Sequence, residues 1–188
     1  MDWQALDLDE VLALAIHEFK KEDVTHALLK LKWLVAQPGA PKSATPVLAR
    51  LYANLSLFEK SKALLGDFIA SNGDAIHERF EFGMLHYDTG DIAGAIGEWD
   101  KVLELEPNYP PALFHKAMTL LENTQKKEAV AQLEALVARC HPQNKYVEQA
   151  KKVLHDVYSQ MGRQKSAPTE DAEPMFDPRP YTDPTTNH

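Results

Sequence analysis

Residues 76–109 read IHERFEFGMLHYDTGDIAGAIGEWDKVLELEPNY, and this stretch decides the fold. Two runs of helical spacing flank Gly90-Asp91, a break followed by an acidic N-cap for the next helix. Gly83 and Ala95 stand twelve residues apart. Small side chains at such places let the two helices of a hairpin cross closely. Trp99 and Val102 lie four and seven places beyond Ala95, on one face of the second helix. Pro107 closes the stretch, because proline does not continue a helix.

Outward from this unit the pattern recurs every 34 residues. Ala15, Ala49, Gly83 and Ala117 form one small row, and Ala27, Ser61, Ala95 and Ala129 a second. Three large apolar rows keep the step: Leu31, Leu65, Trp99 and Leu133; Leu34, Phe68, Val102 and Leu136; Val35, Ile69, Leu103 and Val137. A period without insertion or deletion marks stacked units, each burying its apolar face against the next. Thr45-Pro46 reads as an N-cap and first helical residue. Ser56 and Glu59 have the spacing of a capping box. Gly39, Pro41, Gly73 and Pro142 end second helices. No segment alternates as a strand does, so the chain is expected to be all-α.

The third unit resembles a tetratricopeptide repeat (TPR), with Gly83, Gly90-Asp91, Ala95, Trp99 and Pro107 in the motif's defining places. The other units follow it more loosely: Val11, Thr45, Arg79 and Leu113 stand where the motif has tryptophan. The resemblance implies a right-handed superhelical solenoid of four helical hairpins, with repeats at about 8–41, 42–75, 76–109 and 110–143. Beyond them Val147, Ala150, Leu154, Val157 and Met161 form a helical stripe. That stripe suits a capping helix at about 144–161 and closes a domain at 8–161. Residues 164–188 mix five prolines with acids, a composition expected to remain a disordered tail. Phe176 and Tyr181 within it are candidates to fold back onto the domain.

Composition narrows the function. The chain has 188 residues, 44% of them hydrophobic, with 20 basic against 28 acidic residues and a net charge of -8. Nucleic acid is thereby disfavoured, since phosphate binding draws on clustered Lys and Arg. The apolar stretch at 11–16 is too short to span a bilayer, and no basic-then-apolar leader precedes it, so membrane insertion is not expected. Cys140 is the single cysteine, which forbids an internal disulfide and makes the cytoplasm the expected compartment. There is no H-E-x-x-H, P-loop, dinucleotide glycine pattern or G-x-S-x-G elbow. His77 and His115 can face one groove but lack further ligands for zinc. The expectation is a non-enzyme without metal or cofactor.

The resemblance also implies where a ligand lies. In such repeats the first helix of each hairpin lines an inner groove through its fifth, ninth and twelfth positions. Pro46 and Ala53 occupy two of these places here. The other ten form the candidate peptide-binding groove: Leu12, Ile16, Phe19, Arg50, Phe80, Met84, Tyr87, Phe114, Met118 and Leu121. Only Arg50 among them is charged, so the occupant expected is an apolar helix or extended segment of a partner protein. Methionine suits a surface that adapts to its ligand. An adaptor or chaperone-like role follows. The alternative is a self-assembling homo-oligomeric scaffold, using the groove or the face of Gly94 and Gly97. Each of those glycines costs about 1 kcal/mol relative to alanine inside a helix.

Overall fold

The computed structural model describes residues 3–166. After a short 3-10 turn, Trp3–Ala5, come α1 (Leu8–Lys20), α2 (Val24–Val35), α3 (Ala44–Asn54) and α4 (Phe58–Ser71). Then follow α5 (Ile76–Asp88), α6 (Ile92–Leu105), α7 (Pro110–Glu122), α8 (Lys126–Arg139) and α9 (Lys145–Ser166). The described residues contain no strand. The all-α expectation holds. Consecutive helices pack as hairpins α1/α2, α3/α4, α5/α6 and α7/α8, and the second helix of each packs on the first helix of the next. The described residues divide into two units between Leu154 and His155, so the boundary falls within α9.

The 34-residue rows are the core. Ala15, Ala27, Leu31 and Leu34 are fully buried, as are Ala95, Trp99, Val102, Ala117, Ala129, Leu133 and Leu136. Ser61 takes a small-row place by donating its hydroxyl to the Ala49 carbonyl at 2.7 Å, across the hairpin. The outermost row is weaker: Ile69 is buried, but Val35, Leu103 and Val137 are only partly so, as is Phe68 in the row beside it, against the expectation of burial. Val147 and Ala150 of α9 complete the cluster of Leu113, Ala117, Leu133 and Leu136. Gln164, Lys165 and Ser166, expected in the tail, belong to α9 instead; Gln164 and Lys165 are good helix formers. The remainder of that tail, with Phe176 and Tyr181, lies outside the described residues.

Each first helix ends in the same way. The residues at 22, 56, 90 and 124 are left-handed: Glu22 (φ 62°), Ser56 (φ 57°), Gly90 (φ 81°) and Thr124 (φ 63°). Their N–H groups bond to Phe19, Ala53, Tyr87 and Leu121, and the next N–H in each case reaches the carbonyl of Glu18, Tyr52, His86 or Leu120. This paired bonding is a Schellman motif, whose left-handed place suits glycine. It corrects the capping box assigned to Ser56 and Glu59: Ser56 ends α3, and Leu57 is the N-cap of α4 without a side-chain bond. Thr45-Pro46 is corrected as well. The helix starts at Ala44, with Pro46 still inside the first turn, where its missing N–H costs nothing. Asp91 caps α6 as expected, accepting from Gly94 N–H at 2.9 Å.

One stabilising pair of substitutions follows. Thr124→Gly relieves a β-branched residue from the left-handed region, and Leu57→Asp supplies the cap that Asp23 and Asp91 supply elsewhere. Each is expected to add about 1 kcal/mol to the unfolding free energy. Urea denaturation checks this, and no gain from Thr124→Gly would mean that the left-handed turn is not costly there.

Candidate functional site

Two adjoining clefts lie along α1, α3 and α5 and meet at Arg50. Ile16, Phe19, Lys20, Val47 and Arg50 line the first, of about 300 Å³. Arg50, Ala53, Ser61, Leu65, Glu81, Met84, Leu85 and Asp88 line the second, of about 150 Å³. Both have mostly apolar walls, with charge at the rim. The Arg50 guanidinium binds the Glu81 carboxylate through Nε at 2.9 Å and Nη2 at 2.7 Å, linking α3 to α5. His77 Nε2 approaches the same oxygen at 3.2 Å.

The structure sorts the ten groove residues into three sets. Ile16, Phe19, Arg50 and Met84 line the clefts. Leu12, by contrast, is 8% exposed within the first core cluster and offers a ligand almost no surface. Phe80, Tyr87, Phe114, Met118 and Leu121 are partly buried, and most pack against their own chain. The Phe80 ring stacks on Trp99 at 6.4 Å and tilts against Tyr109 at 5.7 Å and His115 at 5.5 Å. Phe114 meets Tyr146 at 5.5 Å, Leu121 joins the last core cluster, and the Tyr87 hydroxyl donates to Glu122 at 2.8 Å. Pro46 is buried.

Sequence reasoning missed Val47, Glu81, Lys20 and Asp88. They hold the sixth and thirteenth positions of their repeats, which share a helical stripe with the ninth. The open flank of the first helices therefore centres on the sixth, ninth and thirteenth positions, with the twelfth-position residues Phe19 and Ala53 also on the cleft walls, while the fifth-position residues Leu12 and Pro46 are buried. A charged or apolar sixth position in Val47 and Glu81 is a signal available in the sequence, but only packing tells which flank stays open.

His115 also holds a sixth position and sits among Phe80, Trp99, Phe114 and Tyr146. Burial, reinforced by the Lys145 cation, pushes its imidazole below the ordinary histidine range. His77 instead contacts Glu81 and the Tyr109 hydroxyl, so the two histidines have separate partners. Among the described residues no three His, Cys, Asp or Glu side chains are placed to hold a metal ion. None of the described helices is long and apolar enough to cross a membrane.

No protein-family model matches the chain, and no curated protein matches it in sequence. Solved structures do. A MamA crystal structure superposes with a TM-score of 0.65 at 16% identity, covering 78% of this chain and 81% of that one. YrrB, described as a TPR protein with an unusual peptide-binding site, gives 0.63 at 17% identity over 77% and 74%. A tetratricopeptide repeat protein from Parabacteroides merdae ATCC 43184 gives 0.70 at 12% identity over 84% and 62%. The chain has the tetratricopeptide-repeat fold. Within that fold the clefts fall on the first helices of the first three hairpins. The TPR motif's glycine at Gly83 has a local reason too: a Cβ there would stand 2.5 Å from Trp99 Nε1.

Proposed function

We propose that the chain is a protein-interaction module, adaptor or chaperone-like, that holds an apolar segment of a partner against α1, α3 and α5. One observation carries the reading. Ile16, Phe19, Val47, Ala53 and Met84 supply apolar wall to two open clefts that adjoin at Arg50. Further along the chain, the corresponding helices are covered by the chain's own aromatic rings. Apolar surface left in water forgoes about 25 cal/mol per Å², which a partner's side chains recover on docking. Lys20, Arg50, Glu81 and Asp88 at the rim orient the occupant. YrrB, with its described peptide-binding site, supports peptide binding as a use of this fold. The role is binding and not catalysis.

The scaffold alternative loses one of its supports. Gly94 is small for an internal reason: a Cβ would collide with the Asp91 carboxylate and stand 2.7 Å from His86 Nδ1. Gly97 has nothing within 4 Å of that position, and nothing in the structure explains it.

The test is a double substitution, Ile16→Ser with Val47→Ser, at two partly buried cleft residues. Partners captured from native lysate by the wild-type chain are identified, purified and titrated against both proteins. Affinity is expected to fall by about tenfold or more, with the melting temperature lowered by only about 5 °C. Equal affinity for both proteins would remove the clefts from binding. A mass that changes on dilution of the free chain, by light scattering, would favour the scaffold.

A further inference from the structure

We propose a second binding site, on a different flank of α3, for an acidic segment carrying one bulky apolar side chain. Val35 of α2, Leu48 and Tyr52 of α3, and Ala63 and Leu64 of α4 line a shallow, open recess of about 360 Å³, with Lys32 and Lys60 at its rim. Its size is that of a small ligand pocket. Leu48 is 3% exposed and forms the floor, while Lys60 Nζ lies 5.7 Å from the centre of the Tyr52 ring. Among the described residues neither Lys32 nor Lys60 has a carboxylate within ion-pair distance. Two cations without a carboxylate thus stand beside an apolar recess, in a chain of net charge -8.

The repeat shows that this recess is not a general consequence of stacking. One period later, Phe82 stands where Leu48 does, and Gly66 and Gly94 replace Lys32 and Lys60. The Phe82 ring fills that place: its Cζ lies 3.9 Å from where a Gly66 Cβ would be, and the ring packs edge-on to His86 at 4.7 Å. Two periods later the same registers hold Lys116 and Asp100, which pair with each other. The second boundary is thus filled by an aromatic ring and the third by an internal ion pair. The first boundary has neither, and instead offers an apolar hole and two cations. Its complement is what the other two contain: a bulky apolar group and a carboxylate, here supplied by a partner. The site shares no lining residue with the two clefts described above and does not depend on their function.

The probe is the synthetic peptide acetyl-Asp-Asp-Phe-Asp-Asp-amide, titrated into the full ¹⁵N-labelled chain. Shift changes are expected at Lys32, Tyr52, Ala63 and Leu64, and they should weaken on raising NaCl to about 0.5 M. Lys32→Glu with Lys60→Glu is expected to weaken binding by about tenfold or more. These lysines are exposed, so the fold should tolerate the change. Leu48→Phe, which copies the second boundary, should abolish the shifts while far-ultraviolet circular dichroism stays helical. A peptide with alanine for phenylalanine, or lysine for aspartate, should not bind. The proposal is overturned by shifts confined to Ile16, Phe19 and Met84, by equal binding of the lysine peptide, or by no shift at millimolar peptide.

Discussion

Replacing Trp99 by alanine is expected to destabilise the protein by about 3–5 kcal/mol, the range for large aromatic truncations in packed interiors. Trp99 is fully buried, and its indole N–H donates to the Phe80 carbonyl at 3.3 Å. Its partner across the hairpin is Gly83, where a Cβ would stand 2.5 Å from Nε1 and 2.7 Å from Cδ1. The other hairpins put leucine in this row and alanine opposite: Leu31 with Ala15, Leu65 with Ala49, Leu133 with Ala117. The third hairpin has exchanged a methyl on one side for a larger ring on the other. Gly83→Ala alone should therefore cost about 1–3 kcal/mol by overpacking. Gly83→Ala with Trp99→Leu restores the arrangement of its neighbours and should cost less than the two single changes summed, by about 1 kcal/mol or more. A double-mutant cycle in urea measures this coupling, and simple additivity would show that the two residues do not share one space.

A loss of similar size is expected from Glu18→Ala. Lys30 is buried, its side chain 4% exposed, and its ammonium donates to both Glu18 carboxylate oxygens at 2.7 and 2.9 Å. The Trp3 ring covers the same ammonium at 5.5 Å, and Trp3 packs edge-on against Trp33 at 5.2 Å. Without Glu18 this cation is left in the interior unpaired, a change worth about 3–5 kcal/mol. Replacing both partners, Glu18→Leu with Lys30→Met, removes the charge as well as its counter-ion and should be close to neutral. Thermal and urea unfolding of the single and double variants decide the matter. If Glu18→Ala costs no more than the double change, water reaches Lys30 and the pair is a surface one.

Four of the ten candidate groove residues line the two clefts. Ile16, Phe19, Arg50 and Met84 emerge from counting repeat positions, because the register of a helix within a strict period carries over from unit to unit. Phe80 and Phe114 have equally suitable side chains and occupy equally suitable places. Tyr109 and Tyr146, outside that count, take up their faces. Such contacts join residues whose separation has no expression in the 34-residue rows. Ser56 failed for a different reason: S-x-x-E marks a helix start only when the serine is extended, and the Schellman turn holds this one left-handed.

The helices, their pairing into hairpins, most of the core rows and the lack of strands among the described residues were legible in the sequence. All of these follow from local propensity and from one period repeated without a gap. Three of the four repeat starts, Leu8, Ile76 and Pro110, coincide with the first residue of a helix. Tertiary structure alone decided which flank of those helices stays open, that Lys30 and Glu18 form a buried pair, and that Leu48 leaves a recess where Phe82 leaves none. These depend on the volumes and charges that neighbouring helices bring to one point. A periodic pattern states where a side chain faces, but not whether its neighbour fills the space in front of it.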